Sequence, residues 1–393
     1  MRMSPDLERI PFNRPCSAGA EPDHLRAALS GGRLAGNGDF ARRCEGWLRA
    51  RIGSSAALMT ASCSMALEMA VRLAGVRPGD EVIMPSFTFV STATAVVRAG
   101  GQPVFVDVDP ATLNIDPAAM ADAVGPRTRA ACVVHYAGVA CDMEAVGEVA
   151  RKAGLTVIED AAHAIGASWR GRPLGSIGDL AALSFHETKN LQCGEGGALL
   201  VNDPALGGEA EIMHNRGTNS AQFHRGEVDH YTWVREGSNY LMNELSAAFL
   251  WGQLERADAV TAERRRVWLT YWDAFSVLEA RGIARRPIVP DDCEHNAHIF
   301  YLLLGGRAER DALIAALAAA GVQAVFHYVP LHSSPAGRRL GRAAGLLPAS
   351  DAVSQRIVRL PLWPGLGEAR TARVIDAVHA ALGVGASQPL AAV

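Results

Sequence analysis

Short apolar, β-branched runs punctuate the chain: GDEVIMP (79–85), GQPVFVDVD (101–109), RAACVVHY (129–136), LTVIEDAA (155–162), LAALSF (180–185) and GALLVND (197–203). Residues 64–74, 89–99, 116–124 and 142–153 instead place apolar residues three to four apart, which predicts amphipathic helices. Strands too apolar to leave a face in water, alternating with helices of this length, predict an α/β fold with a mostly parallel sheet covered on both faces. Such sheets take ligands beyond the carboxyl ends of their strands, so polar residues there carry weight.

Ahead of this pattern, residues 1–11 read as a loose arm, 23–30 as a short helix stopped at Gly31-Gly32, and 39–51 as a second helix. From Leu241 one long amphipathic pattern runs past Ala274 and bridges to a smaller lobe. That lobe is marked by HIFYLLLGG (298–306), a helix at 309–320, VQAVFHYVP (322–330) and a last helix at 370–383; the tail GASQPLAAV reads as frayed. The predicted division is an arm at 1–11, a large domain at 12–255, and a linking helix with a small C-terminal domain at 256–393.

With 393 residues and a hydrophobic fraction of 49%, the chain has enough apolar surface for two cores. A net charge of −3, from 38 basic and 41 acidic residues, argues against a nucleic acid backbone as the main partner. Seven scattered cysteines give neither a disulfide framework nor a metal knuckle and suit a reducing cytoplasm. MRMSPDLERIPFNRP has no apolar signal-peptide core, and no run of about 18 apolar residues predicts a membrane span.

The segment DLAALSFHETKNLQCGEGGALL (179–200) sets a polar loop directly after an apolar run. His186-Glu187 does not open a zinc site, because the second histidine one turn on would fall at Asn190 and the segment follows a strand. GEGGAL (194–199) lacks the last glycine of a dinucleotide fingerprint and precedes a strand where a helix is required. Lys189 can form a Schiff base with an aldehyde, chemistry that pyridoxal phosphate uses most widely. That cofactor needs an acid at its ring nitrogen, and Asp160 closes the run TVIED at the ligand-facing end of a strand. Taken singly, Lys189 also fits an exposed loop lysine, Asp160 a helix N-cap, and His163 a helical residue packed beside the sheet.

Together PFNRP (11–15), ASCSMALEMA (61–70), PSFTFVSTA (85–93), EDAAH (159–163), SFHETKN (184–190), GEGGAL, GSNYLMNELSAAF (237–249) and VFHYVPLH (325–332) resemble the DegT/DnrJ/EryC1/StrS sugar aminotransferases, from about residue 11 to about 385. The resemblance implies fold type I: a seven-stranded, mostly parallel sheet between helices plus a smaller α+β domain. It implies pyridoxal 5'-phosphate held by Lys189, Asp160 at the ring nitrogen, and His163, one helical turn on, at the ring oxygen. Ser62, Cys63, Ser64 and Ser184 would hold the phosphate, together with Asn239 from the other subunit of a homodimer. Many relatives have glycine where Cys63 stands and glutamine where His163 stands. Phe89 matches the aromatic that stacks on the ring, with Phe87 as the alternative.

The family implies ping-pong transamination from L-glutamate to a nucleotide-linked keto sugar, with Lys189 moving the proton. Residues 215–240 resemble the branch that converts dTDP-4-dehydro-6-deoxy-D-glucose to dTDP-4-amino-4,6-dideoxy-D-galactose for surface polysaccharides; the same loop also fits a solvated dimer surface. His327, Tyr328 and His332 fit either the substrate entrance or a strand ending in a turn at Pro330. Other nucleotide-linked keto sugars, UDP-linked or aminated at C3, stay open. Relatives that dehydrate deoxysugars lack the lysine, and no basic arm or DNA-binding helix pair supports a non-catalytic regulator.

Overall fold

The computed structural model describes residues 8–384, so the tail at 385–393 and the first seven residues of the predicted arm lie outside the described residues. The large domain is built on a sheet in the spatial order Ala56–Thr60, Gly197–Val201, Leu180–Ser184, Thr156–Asp160, Thr128–Val134, Glu81–Pro85, Gln102–Val106 and Arg342–Ala343. From Leu180–Ser184 to Arg342–Ala343 the neighbours are parallel. Gly197–Val201 runs antiparallel to both of its neighbours.

The strands are buried on both faces because alternate side chains enter different cores. Ile83, Val133, Val157, Ala181, Leu183 and Leu200 pack with Phe40, Leu48, Val146 and Leu250 of the helices on one side. Val82, Met84, Cys132, Ile158, Leu180 and Leu199 pack with Leu67, Val71 and Val96 of the helices on the other. This period-2 split explains why the runs read as continuously apolar. Each fully buried Leu or Val side chain contributes about 1.5–3 kcal/mol over exposure.

The smaller domain has a two-stranded antiparallel sheet, Tyr301–Leu303 with Ile357–Arg359, and the helices Arg307–Ala319 and Gly367–Ala381. The pattern from Leu241 forms two helices rather than one. Glu244–Leu254 ends at Glu255, and Ala257–Ala274 begins after Arg256. The break separates two cores: Ala247, Leu250 and Leu254 belong to the large domain, whereas Val267, Trp268 and Tyr271 belong to the small one.

Three further details depart from the sequence reading. Residues 8–11 are pinned to the small domain, since Ile10 is 0% exposed and exchanges backbone hydrogen bonds with Gly321 and Gln323. The sheet gains an eighth strand, Arg342–Ala343, whose two residues are too few to show an alternation. Residues 162–166 form turns, so His163 is not one helical turn along a helix from Asp160.

Candidate active site

A cleft of about 730 Å³ opens where strand ends, the start of a helix and the small domain converge. Ser62, Cys63, Ser64, Phe89, Asp160, His163, Ser184 and Lys189 all line it. Val134, Asp160 and Ser184 stand at the carboxyl ends of three adjacent strands, the position the topology favours for a ligand.

At one end, helix Cys63–Leu73 begins at the wall. Ser62 caps it in extended backbone (φ −162°, ψ 161°), its hydroxyl accepting from the Met65 N–H at 3.3 Å. The first-turn N–H groups of Cys63 and Ser64 have no intrahelical acceptor, and with the helix dipole they favour an anion. Cys63 occupies the first helical position without positive φ, so its side chain does not disturb this geometry. Burial pushes the Cys63 thiol well above its ordinary range, so it stays neutral. Gly197 faces this turn so closely that a Cβ there would lie 2.4 Å from the Cys63 nitrogen.

Across the cleft, Asp160 accepts from the Thr92 hydroxyl at 2.8 Å and from the Ala162 N–H at 3.2 Å. Burial raises its carboxyl above the usual range, opposed by these donors and the Lys189 charge. Such a carboxylate is stabilised by a cation. Burial lowers the Lys189 amine to about 8, against the opposing pull of the Asp160 carboxylate. The loop carrying it is closed by the Lys189 N–H donating to the His186 carbonyl at 2.8 Å.

His163 is neutral, because burial and the Lys189 charge press its pKa well below the ordinary value. Its Nδ1 accepts from the Ala137 N–H at 3.3 Å, which leaves the proton on Nε2. It packs on His298 (4.3 Å between ring centres, 31°), with His327 at 6.4 Å. The His298 Nδ1 donates to Asn190 Oδ1 at 2.8 Å, because the Asn190 amide nitrogen is spent on the Asn296 carbonyl. His327 stacks on Tyr328 at 3.4 Å, and both line the cleft.

The two candidate aromatics separate cleanly. Phe89 is 55% exposed on the cleft wall, whereas Phe87 is 1% exposed and packed on Tyr136 and Tyr328. His332 does not line the cleft and instead bonds the Ser86 hydroxyl at 2.7 Å. Asn239 is also off this chain's cleft; it is exposed and bridged to Asn215. Thr92, His298, Arg264 and Arg359 escaped the sequence reading. Thr92 lies within PSFTFVSTA, but nothing in that segment reveals its contact with Asp160; the others lie in the linking-helix and small-domain pattern, with no local motif to single them out.

The profile of the DegT/DnrJ/EryC1/StrS aminotransferase family matches residues 15–379. The chain belongs to that family. It is similar to the spore coat polysaccharide biosynthesis protein SpsC of Bacillus subtilis, 34% identical over 94% of this chain and 96% of that one. It is similar to GDP-perosamine synthase of Caulobacter vibrioides, 34% identical over 96% of this chain and 99% of that one. Among solved structures it resembles S. venezuelae DesV in complex with a ketimine intermediate, at a TM-score of 0.86 and 31% identity over 96% of this chain and 99% of that one.

The protein is a pyridoxal-phosphate-dependent aminotransferase with the fold type I architecture. Its cleft suits that cofactor on its own evidence: free helix N–H groups for a phosphate, a buried carboxylate in want of a cation, a lysine of lowered pKa, and an open aromatic face.

Proposed function

We propose that the protein moves an amino group from L-glutamate to dTDP-4-dehydro-6-deoxy-D-glucose, giving dTDP-4-amino-4,6-dideoxy-D-galactose and 2-oxoglutarate. The reaction class, transamination of a nucleotide-linked keto sugar, is carried by Lys189 and Asp160 on one cleft together with the family match. The choice of sugar rests on the resemblance of residues 215–240 to that branch. A second reading, a GDP-linked 4-keto sugar, is favoured by the similarity to GDP-perosamine synthase.

When bound, pyridoxal phosphate supplies the carbonyl that captures an amine and the electron sink for a broken Cα–H bond. The rest falls to this chain. Cys63 and Ser64 N–H groups, with the hydroxyls of Ser62, Ser64 and Ser184, would bind the phosphate. Asp160 would keep a proton on the ring nitrogen, and the Nε2–H of His163 offers a neutral donor to the ring oxygen, as a glutamine amide would. Phe89 would cover one face of the ring.

Lys189 first anchors the cofactor. Once displaced, its amine takes the proton from the donor's α carbon and delivers it elsewhere on the same face, then runs the transfer backwards with the keto sugar.

Asn239 would act on the phosphate of a second copy in a homodimer. Its placement off its own cleft, on a segment that exposes Tyr231 and Trp233, supports this reading.

The test is to give the holoenzyme and L-glutamate dTDP-, UDP- and GDP-linked 4-keto-6-deoxy sugars in parallel and determine each product by mass and NMR. A dTDP-linked C4 amine of galacto configuration is expected. Preference for the GDP sugar would replace the first reading by the second, and no amine from any keto sugar would reject both.

A further inference from the structure

The stacked imidazoles of His163 and His298 both line the cleft, and their surroundings give them opposite tautomers. Asn190, next to Lys189 and 2% exposed, decides the tautomer of His298. The Asn296 carbonyl can only accept, so the Asn190 amide nitrogen turns to it and Oδ1 turns to His298 Nδ1, each at 2.8 Å. The hydrogen of His298 is therefore on Nδ1. Burial pushes the pKa of this ring well below the ordinary value, so it is neutral and Nε2 is a bare acceptor. His163 is the reverse, since its Nδ1 accepts from the Ala137 N–H and its hydrogen is on Nε2.

The chain holds this arrangement from several sides. Asn296, fully buried, donates from Nδ2 to the carbonyls of His163 at 2.7 Å and Ile165 at 2.9 Å, and its Oδ1 accepts from the His298 N–H at 3.1 Å. Arg264 donates to the carbonyls of Ala297 at 3.1 Å and His298 at 2.8 Å. The turn carrying His163 and the loop carrying Lys189 have no helical or strand ladder of their own, so these bonds fix them relative to each other. His298 Nε2 makes no hydrogen bond among the described residues and is not one of the buried unpartnered atoms, so it opens to the cleft.

An open acceptor calls for a donor. L-Glutamate joins the cofactor through its amine and then presents only carboxylate oxygens, which a lone pair repels. A keto sugar presents hydroxyls. On the reading that His163 meets the cofactor's ring oxygen, His298 stands one ring spacing, 4.3 Å, from it and beside the reacting carbon. The hydroxyl nearest to such a position is the one on the carbon next to the ketone.

Given the reading above of a keto-sugar transaminase, we infer that His298 Nε2 accepts a hydrogen bond from the sugar hydroxyl beside the keto carbon, with Asn190 the positioning residue that fixes its tautomer. His298 then serves the sugar half of the reaction and not the glutamate half.

The experiment uses holoenzyme of wild type, His298→Asn and His298→Gln. In His298→Asn the amide can still donate to Asn190 Oδ1, but nothing stands where Nε2 was; His298→Gln returns an amide oxygen to that place. In single turnovers of the pyridoxamine phosphate form with keto sugar, His298→Asn should lose roughly 3–10-fold beyond any loss in the glutamate half-reaction, and His298→Gln should recover part of it. The 3-deoxy keto sugar, which lacks that hydroxyl, should cost wild type about the same factor and His298→Asn almost nothing further. NMR of 15N-histidine-labelled protein, with His298 assigned by its loss in the variants, should show the hydrogen on Nδ1. The Nε2 signal should move when keto sugar binds the pyridoxal phosphate form, with which it does not react.

A hydrogen on Nε2, equal losses in both half-reactions, or an undiminished 3-deoxy penalty in His298→Asn would overturn the assignment of His298 while leaving the transaminase intact. If His298→Asn does not fold, His298→Gln supplies the signal assignment, and the tautomer with the movement of Nε2 decides. Wild-type protein that aminates no keto sugar would overturn the substrate reading itself, and this inference with it.

Discussion

Burial lowers the Lys189 amine to about 8, outweighing the attraction of the Asp160 carboxylate for its charge. Only the neutral amine attacks an aldehyde, so capture of pyridoxal phosphate by apoenzyme should rise about tenfold per pH unit below 8 and level off above it. Stopped-flow growth of the visible band measures this; a plateau reached only near the ordinary lysine value would contradict the account. On the proposed reading, Asp160→Asn removes the charge that would hold a proton on the ring nitrogen. It should weaken cofactor retention roughly 10–100-fold, read by dialysis against buffer, and slow transamination at least as much. At this scale the sequence was informative where a residue belonged to a long motif, as Lys189 and Asp160 do. Motif membership did not suffice for Thr92, which lies within PSFTFVSTA but reaches Asp160 from a helix 68 positions earlier, and Arg359, with no motif around it, lines the cleft from the other domain.

Two elements form the turn proposed to bind the phosphate, the helix beginning at Cys63 and the strand beginning at Gly197, and they touch backbone to backbone. Gly197→Ala should therefore push the turn apart, costing about 1–3 kcal/mol of stability in thermal unfolding and raising cofactor dissociation with it. Gly147 is a useful contrast, since it lies within helix Met143–Ala153 with open space where a Cβ would go. Gly147→Ala should stabilise the protein by up to about 1 kcal/mol and leave the cofactor untouched. The strands and most helices were legible because burial on two faces leaves uninterrupted apolar runs. Ala56–Thr60 went unread: it is a five-residue edge strand directly after a helix and carries few β-branched residues. The single pattern from Leu241 concealed a break because its apolar face continues across Glu255-Arg256 while the core beneath it changes.

The whole molecule is a large sheet domain and a small domain meeting over one cleft, with the segment at 8–13 strapped to the small domain and bordering the cleft at Phe12 and Asn13. That strap was not legible from sequence: Ile10 is one isolated apolar residue, and its partners lie more than 300 positions away. Among the described residues no helix is long and apolar enough to cross a membrane. If Asn239 completes the partner's site, mixing Lys189→Ala protein with Asn239→Ala protein should restore activity, because each hybrid dimer regains one intact cleft. Failure of well-mixed hybrids to exceed the sum of the separate variants would place Asn239 outside the shared site.

The most direct test of the central claim is to follow the nitrogen. With [15N]-L-glutamate and the keto sugar, wild-type protein should deliver 15N to the sugar, while Lys189→Ala should lose roughly 10²–10⁴-fold or more in rate. A sugar amine without 15N, or a Lys189→Ala variant as fast as wild type, would contradict it.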